Sequence, residues 1–213
     1  MLRLLESLTA FFGVIHVFTT LALGVVTMRA LGSLSLAGLV GAAWLYLFPP
    51  ILWRIVRVFT GNPVGAFRVG KTGKPSAWVA YYNLQFLFTV APWIEKFLLL
   101  IPGAYSAWLR LWGSQIGKKV IWTPGVTIVD RGHLEVGDYA FFGNNSYLSA
   151  HVVSRRDTRY ILYVKKLRVG NRAFVGAWSM LGPGAKVQDH GYTEIHSAIY
   201  EDRTGVQNET KVH

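Results

Sequence analysis

Two structural classes meet in this chain: an N-terminal α-helical membrane region, and after it a short all-β domain wound as a parallel β-helix. Two observations predict this. Long apolar runs without charge fill the first half, and a six-residue spacing of apolar residues and glycines runs through the second. Composition agrees, with 52% hydrophobic and only 15% charged residues among 213. About a quarter charged is usual for a soluble domain, so neither disorder nor an ordinary soluble core fits. The chain has no cysteine, which excludes a disulfide framework, a thiolate metal site and a cysteine nucleophile.

Ser7 to Met28 and Ala30 to Trp53 carry no charge. Each run is long enough to cross a bilayer as a helix at about 1.5 Å per residue. Only Arg29 to Ser33 separates them, so the sequence predicts a helical hairpin with both ends on one side. Met1 and Arg3 before an apolar run imitate a signal peptide, but no small-x-small cleavage site follows and a second apolar run does. Pro49-Pro50 is expected to kink the second helix or end it early. His16, alone in the first run, reads as a hydrogen-bonded packing residue rather than a proton relay. A third stretch, Ser76 to Ile94, contains Asn83, Gln85 and Pro92. With Trp78, Tyr81, Tyr82, Trp93, Tyr105, Trp108 and Trp112 it has the aromatic content of a segment that lies in the interface or re-enters.

The formal charge is +11. Residues 29–119 hold ten Lys and Arg against the single acid Glu95, while residues 120–213 hold eleven against nine. The excess therefore accompanies the apolar half. Arg54, Arg57, Arg68, Lys71 and Lys74 follow the second helix, and the positive-inside rule places them in the cytoplasm of a bacterial-type inner membrane. The repeat domain is expected on the same side, with membrane lipids as partners. No recognition motif supports nucleic acid.

The repeat is read in sixes. Val136, Phe142 and Leu148 open three, and Val169, Val175 and Leu181 open three more, five of the six followed by Gly and each with a small or β-branched fifth residue. Ile116, Trp122 and Ile128 keep the rhythm upstream, before a two-residue slip near Gly132 to Glu135. A short strand and a turn repeated every six residues wind a triangular prism: the first position fills the core, Gly permits the corner, and three sixes close one coil. Neither helical nor period-two spacing explains it. The expected organisation is 1–107 membrane-anchoring helices and a basic interfacial segment, 108–188 the repeat domain, and 189–213 a polar tail.

This pattern resembles the hexapeptide-repeat acyltransferases over roughly residues 108–188, and the resemblance implies a left-handed β-helix. Trp108-Leu-Arg-Leu-Trp-Gly-Ser-Gln-Ile-Gly117 is similar to their entry into the first coil, and Val175-Gly-Ala-Trp-Ser-Met-Leu-Gly-Pro-Gly184 to a run inside their repeats. A membrane segment ahead of the repeats is similar in arrangement to the repeat modules of polylysine-synthetase-type proteins. The family implies transfer of an acyl group, acetyl included, from coenzyme A or a carrier-protein phosphopantetheine to a hydroxyl or amine. No tightly bound cofactor is implied; acyl-CoA or acyl-phosphopantetheine is a co-substrate, an acyl carrier protein a candidate partner, and a homotrimer the expected assembly.

Of six histidines, His151 alone stands where the resemblance puts the catalytic base, at the break in the repeats. Imidazole titrates near neutrality and suits proton removal from an attacking hydroxyl or amine. By resemblance, the backbone amide of Gly176 or Ala177 stabilises the oxyanion and contacts the thioester. Asn144 and Asn145 either orient the acceptor or occupy a corner. The interruption Ser154 to Arg168 reads as a loop carrying Arg155, Arg156, Arg159, Lys165 and Lys166, suited to the phosphates of coenzyme A or to anionic lipid. No metal is expected: the β-helical carbonic anhydrases need three histidines, position 156 is Arg here, and the slip puts His133 and His151 out of phase. Against an enzyme stands a non-catalytic membrane scaffold or a truncated repeat module, since about three coils end near Val187.

Overall fold

The computed structural model of the chain describes residues 2–69, 77–201 and the backbone of 207–211. Lys71 and Lys74 of the basic loop lie outside the described residues, as does part of the C-terminal segment. The chain divides into two compact units, residues up to 62 with 77–91, and 63–69 with the chain from 92 onward.

The first unit is helical, with α1 (Leu2–Thr9), α2 (Phe12–Leu31), α3 (Leu34–Thr60) and α4 (Ala77–Val90). Helices α2 and α3 are long and apolar enough to cross a membrane, and they form the expected hairpin. Gly32 ends α2 at φ 64°, and the Ser33 hydroxyl caps α3 by accepting from Leu36 N at 3.3 Å, a standard N-cap. Pro49-Pro50 do not end α3, which continues to Thr60. Proline at 49 has no N–H for the Leu45 carbonyl four residues back. His16 Nε2 of α2 donates to that carbonyl at 3.1 Å, within a cluster of Phe12, Trp44 and Phe48 rings. Helix α4 buries Tyr81, Leu84 and Phe88, and Asn83 donates to Thr9 Oγ1 at 3.1 Å. Its 14 residues span about 21 Å, short of a hydrocarbon core of roughly 30 Å.

The second unit begins with α5 (Trp93–Lys96), a 3₁₀ turn over Phe97–Leu100, and α6 (Ala104–Trp112). Helix α6 closes the first coil from below: Trp108, Leu109 and Trp112 are buried, and Arg110 donates to the Ile116 and Gly117 carbonyls at 2.8 and 2.7 Å. The entry motif thus ends a helix and caps the open end of a prism.

Three parallel walls follow. The first stacks β2 (Gln115–Ile116), β5 (Leu134–Val136), β10 (Leu167–Val169) and β13 (Lys186–Val187); the second stacks β3 (Ile121–Trp122), β6 (Phe141–Phe142) and β11 (Phe174–Val175). The third stacks β4 (Thr127–Ile128), β7 (Tyr147–Leu148), β12 (Met180–Leu181) and β14 (Ser197–Glu201), with β15 (Gln207–Lys211) antiparallel on β14. Register puts Ile116, Val136, Val169 and Val187 in one inward column, and Ile128, Leu148, Leu181 and Ile199 in another. Each fully buried member contributes about 1.5–3 kcal/mol through removal from water.

Four coils of the prism are therefore present among the described residues, and residues 189–201 belong to the fourth rather than to a polar tail. The phase continues through Val187, Thr193 and Ile199, with Thr193 N donating to Phe174 O and Gly182 N to Ile199 O. The spacing hid this, because a threonine faces inward and Gln188, Glu194 and Tyr200 stand where Gly is usual.

Glycine at the second position serves close approach. An ideal Cβ on Gly143 would lie 2.5 Å from Ala177 N of the coil above. The left-handed turn conformation falls two residues later, on Lys119, Tyr139, Asn145, Arg172, Trp178, His190 and His196. Third-position side chains stitch coil to coil: Asp138, Asn171 and Asp189 accept from the backbone amides of Lys118, Asp138 and Asn171 at 2.7, 2.9 and 2.7 Å.

Candidate active site

The corner between the third wall and the first differs from coil to coil. In the first coil it is Val129 to His133, in the third Gly182 to Ala185, and in the second the chain leaves the prism. There, β8 (His151–Arg156) and β9 (Arg159–Val164) form an antiparallel hairpin, and β1 (Gly65–Val69) adds a strand to the far edge of β9. The interruption is a three-stranded sheet instead of a loop. The β-branched and aromatic residues Val152, Val153, Tyr160, Ile161, Tyr163 and Val164 suit strands, and β1 supplies the third strand that a lone hairpin lacks.

His151 is the first residue of β8, with its side chain 18% exposed. Its Nδ1 lies 2.7 Å from Asp130 Oδ2, an oxygen that also accepts from Ala150 N at 2.9 Å. Asp130 is 1% exposed. An ionised carboxylate only accepts, so Nδ1 carries the proton in this pair and the neutral ring presents a lone pair at Nε2. Charge-assisted bonds of this length are strong. A base with an orienting acid behind it is an arrangement suited to general-base catalysis.

Asp130 was not among the residues singled out from sequence, although its signal was present. Ile128 pairs with Leu148, twenty residues on, because the two-residue slip lengthens the nominal coil of eighteen. Counting two forward from each puts Asp130 beneath Ala150, next to His151.

The corner residues fall elsewhere. Asn144, Asn145, Gly176 and Ala177 lie between the second wall and the third, at the other end of the wall from His151. Asn144 Oδ1 accepts from Gly125 N at 3.1 Å and Asn145 has φ 58°, so both hold a corner. Gly176 N donates to Thr193 Oγ1 at 2.8 Å, which commits that amide to the wall. Ala177 accepts from His196 N, and among the described residues its own N–H has no hydrogen-bond acceptor.

The basic residues divide in two. Lys165 is 3.0 Å from Glu201, and Glu135 holds Lys166 and Arg168 at 2.7 Å each. Burial pushes the Glu135 carboxyl up, but the bonds and charges of Lys166 and Arg168 outweigh it and the net direction is down. Lys165 and Lys166 are thus neutralised in place. Arg155, Arg156 and Arg159 stand at the exposed hairpin tip, where among the described residues no carboxylate pairs with them. His133 is fully buried, and among the described residues no three acidic or histidine side chains are grouped to hold a metal.

No family model and no curated protein matches the chain. Among solved structures it is similar to a hexapeptide-repeat acetyltransferase of Vibrio cholerae, with 12% identity, 54% of this chain and 85% of that chain covered, and a TM-score of 0.35. It is also similar to a serine acetyltransferase of Neisseria gonorrhoeae, at 11% identity over 83% and 73% of the two chains with a TM-score of 0.32. A maltose O-acetyltransferase of Clostridium difficile gives 11% identity, 62% and 90% coverage, and a TM-score of 0.28.

Proposed function

We propose that the chain is a membrane-anchored acyltransferase on a left-handed β-helix, using acyl-CoA or an acyl carrier-protein thioester as donor and a hydroxyl or amine as acceptor. The observation that carries this reading is the Asp130–His151 pair at the corner where the repeat opens, buried on the acid side and accessible on the base side. His151 Nε2 takes the proton of the acceptor as its oxygen or nitrogen bonds to the thioester carbonyl carbon, and the carbonyl electron pair moves onto oxygen. As the tetrahedral intermediate collapses, the C–S bond breaks and the imidazolium returns its proton to sulfur. Asp130 keeps the ring in the required tautomer and balances the imidazolium charge.

The Ala177 amide is the candidate oxyanion donor. It and His151 stand at opposite ends of one wall, so a single prism does not close the site. Side-by-side packing of copies, as in a trimer, brings the corner of one to the base of the next. The outward row of the second wall, Ile121, Phe141, Phe174 and Tyr192, offers apolar surface for that packing. The Arg155, Arg156 and Arg159 tip has the charge to grip coenzyme A phosphates or anionic lipid. Helices α2 and α3 serve as the membrane anchor, and the basic residues after α3 favour a cytoplasmic β-helix.

The test is release of free thiol from acetyl-CoA by the purified full chain with cell-envelope acceptors. The wild type is expected to release thiol and His151→Ala to lose at least about a thousandfold. Equal rates in the two would leave the scaffold reading in its place.

A further inference from the structure

Beside the dyad lies a cluster of ionised groups that the reaction does not touch. Glu95 of α5 is fully buried and Arg131 is 1% exposed. Arg131 Nε donates to Glu95 Oε2 at 2.7 Å, while Glu95 Oε1 accepts from Tyr105 Oη at 3.1 Å and Lys96 Nζ at 3.3 Å. The Arg131 guanidinium also donates to Val129 O at 3.2 Å and stands 5.9 Å from the Trp108 ring, and Lys96 Nζ reaches Val126 O. Burial pushes the Lys96 ammonium down, and burial with the Glu95 charge pushes the Tyr105 phenol well up.

A buried ion pair is weak support for stability, because desolvation offsets its attraction and apolar replacements of the same shape often do as well. What such a pair does supply is fixed geometry. The residue fixed here adjoins the dyad: Arg131 follows Asp130, and the clamp grips the backbone at Val126 and Val129 ahead of it. The grip continues on the other side, where Ser114 Oγ donates to Arg131 O at 2.7 Å and accepts from Leu134 N at 2.9 Å. Asp130 O accepts from His133 N at 3.1 Å. The segment that widens the first coil by two residues is thus bonded on both flanks, and Asp130 is the member whose carboxylate turns to His151.

We infer that Glu95 is a positioning residue: through Arg131 it holds the 129–133 corner so that the Asp130 carboxylate meets His151 Nδ1. The inference rests on the acyltransferase reading for its kinetic readout, while its spectroscopic readout stands apart from that reading. A displacement of about 1 Å at a reacting group costs on the order of a hundredfold in rate, so a residue two steps removed is able to govern turnover without touching substrate.

The experiment uses the full chain in detergent micelles with ¹⁵N-labelled histidine, assigned by difference with His151→Ala. In mildly alkaline buffer the wild-type His151 ring is expected to be the Nδ1–H tautomer. Glu95→Gln keeps the shape and removes the charge; it is expected to mix the two tautomers and to lower the rate at which diethyl pyrocarbonate modifies His151, because the Nε2–H form has no lone pair on its outward nitrogen. It is also expected to lower kcat for thiol release about ten- to a hundredfold with KM for acetyl-CoA unchanged. Glu95→Asp is expected to recover part of both. If Glu95→Gln fails to fold, Tyr105→Phe and Arg131→Lys, which loosen the same clamp without stranding Glu95, are read in its place and are expected to shift the tautomer in the same direction. A folded variant with the wild-type tautomer and reactivity overturns the inference and leaves Glu95 a structural ion. Loss of the acyltransferase reading shows differently, as equal activity of wild type and His151→Ala with the tautomer shift intact.

Discussion

Asp130→Asn separates the charge of the orienting residue from its shape. The amide can donate as well as accept, so it permits the ring to turn its proton toward Nε2, the wrong tautomer for a base. The expected result is a fall in kcat of roughly 10²- to 10⁴-fold with KM for acetyl-CoA little changed, measured by thiol release. A second residue-scale prediction concerns packing. Gly143→Ala puts a methyl 2.5 Å from the Ala177 amide, and neither backbone yields without opening the coil. A loss of about 1–3 kcal/mol is expected, read as a lower melting temperature. At this scale resemblance singles out His151 at the break in the repeats, whereas Asp130, its partner at 2.7 Å, is masked by a slip that disturbs counting. Glycine was legible in its place, but for its small size against the next coil and not for a left-handed turn, which Tyr139 and Trp178 adopt instead.

At the scale of the element, α3 shows what a neighbour does for a proline. The Leu45 carbonyl that Pro49 leaves without its helical donor is served from α2 by His16. His16→Leu keeps the bulk and leaves that carbonyl unsatisfied in apolar surroundings, at a cost of about 1–3 kcal/mol, measured by unfolding in micelles. Composition predicts both helices, yet the possibility that α3 ends at Pro49-Pro50 does not hold, and the donor that serves the freed carbonyl lies 29 residues away. The interruption at 154–168 was read as a loop for a similar reason: β1 comes from the segment after α3, and its pairing with β9 is not local. Replacing Arg155, Arg156 and Arg159 by Gln at the tip of that sheet separates its two suggested partners. Raised KM for acetyl-CoA marks a phosphate grip; weakened binding to phosphatidylserine vesicles with unchanged KM marks a lipid contact.

Across the whole molecule, acid stability follows from how the coils are tied. Glu135 of the second coil holds Lys166 and Arg168 of the third, and Asp189 of the fourth accepts from Asn171 of the third. Bonds from the Asn171 amide and side chain hold the Asp189 carboxyl below its ordinary value, and the two cations do so for Glu135 against its burial. A carboxyl whose pKa is lower folded than unfolded stabilises above its unfolded value, near 4, and loses that contribution as pH falls through the folded value. The melting temperature is therefore expected to drop below about pH 4, and to drop less in Glu135→Gln. The partition into apolar helices and a nearly neutral coil was legible from charge and spacing. The fourth coil was not, since Thr193 breaks the apolar column while its hydroxyl, by accepting from Gly176 N, still closes the wall.

The central claim is that the corner bearing Asp130 and His151 is where a thioester meets its acceptor. A structure of the full chain determined with coenzyme A bound tests it most directly. The expected result is the thiol sulfur about 3–4 Å from His151 Nε2, with a second copy of the chain closing the other side of the site. Coenzyme A seated away from His151, or no binding by a correctly folded chain, would contradict it.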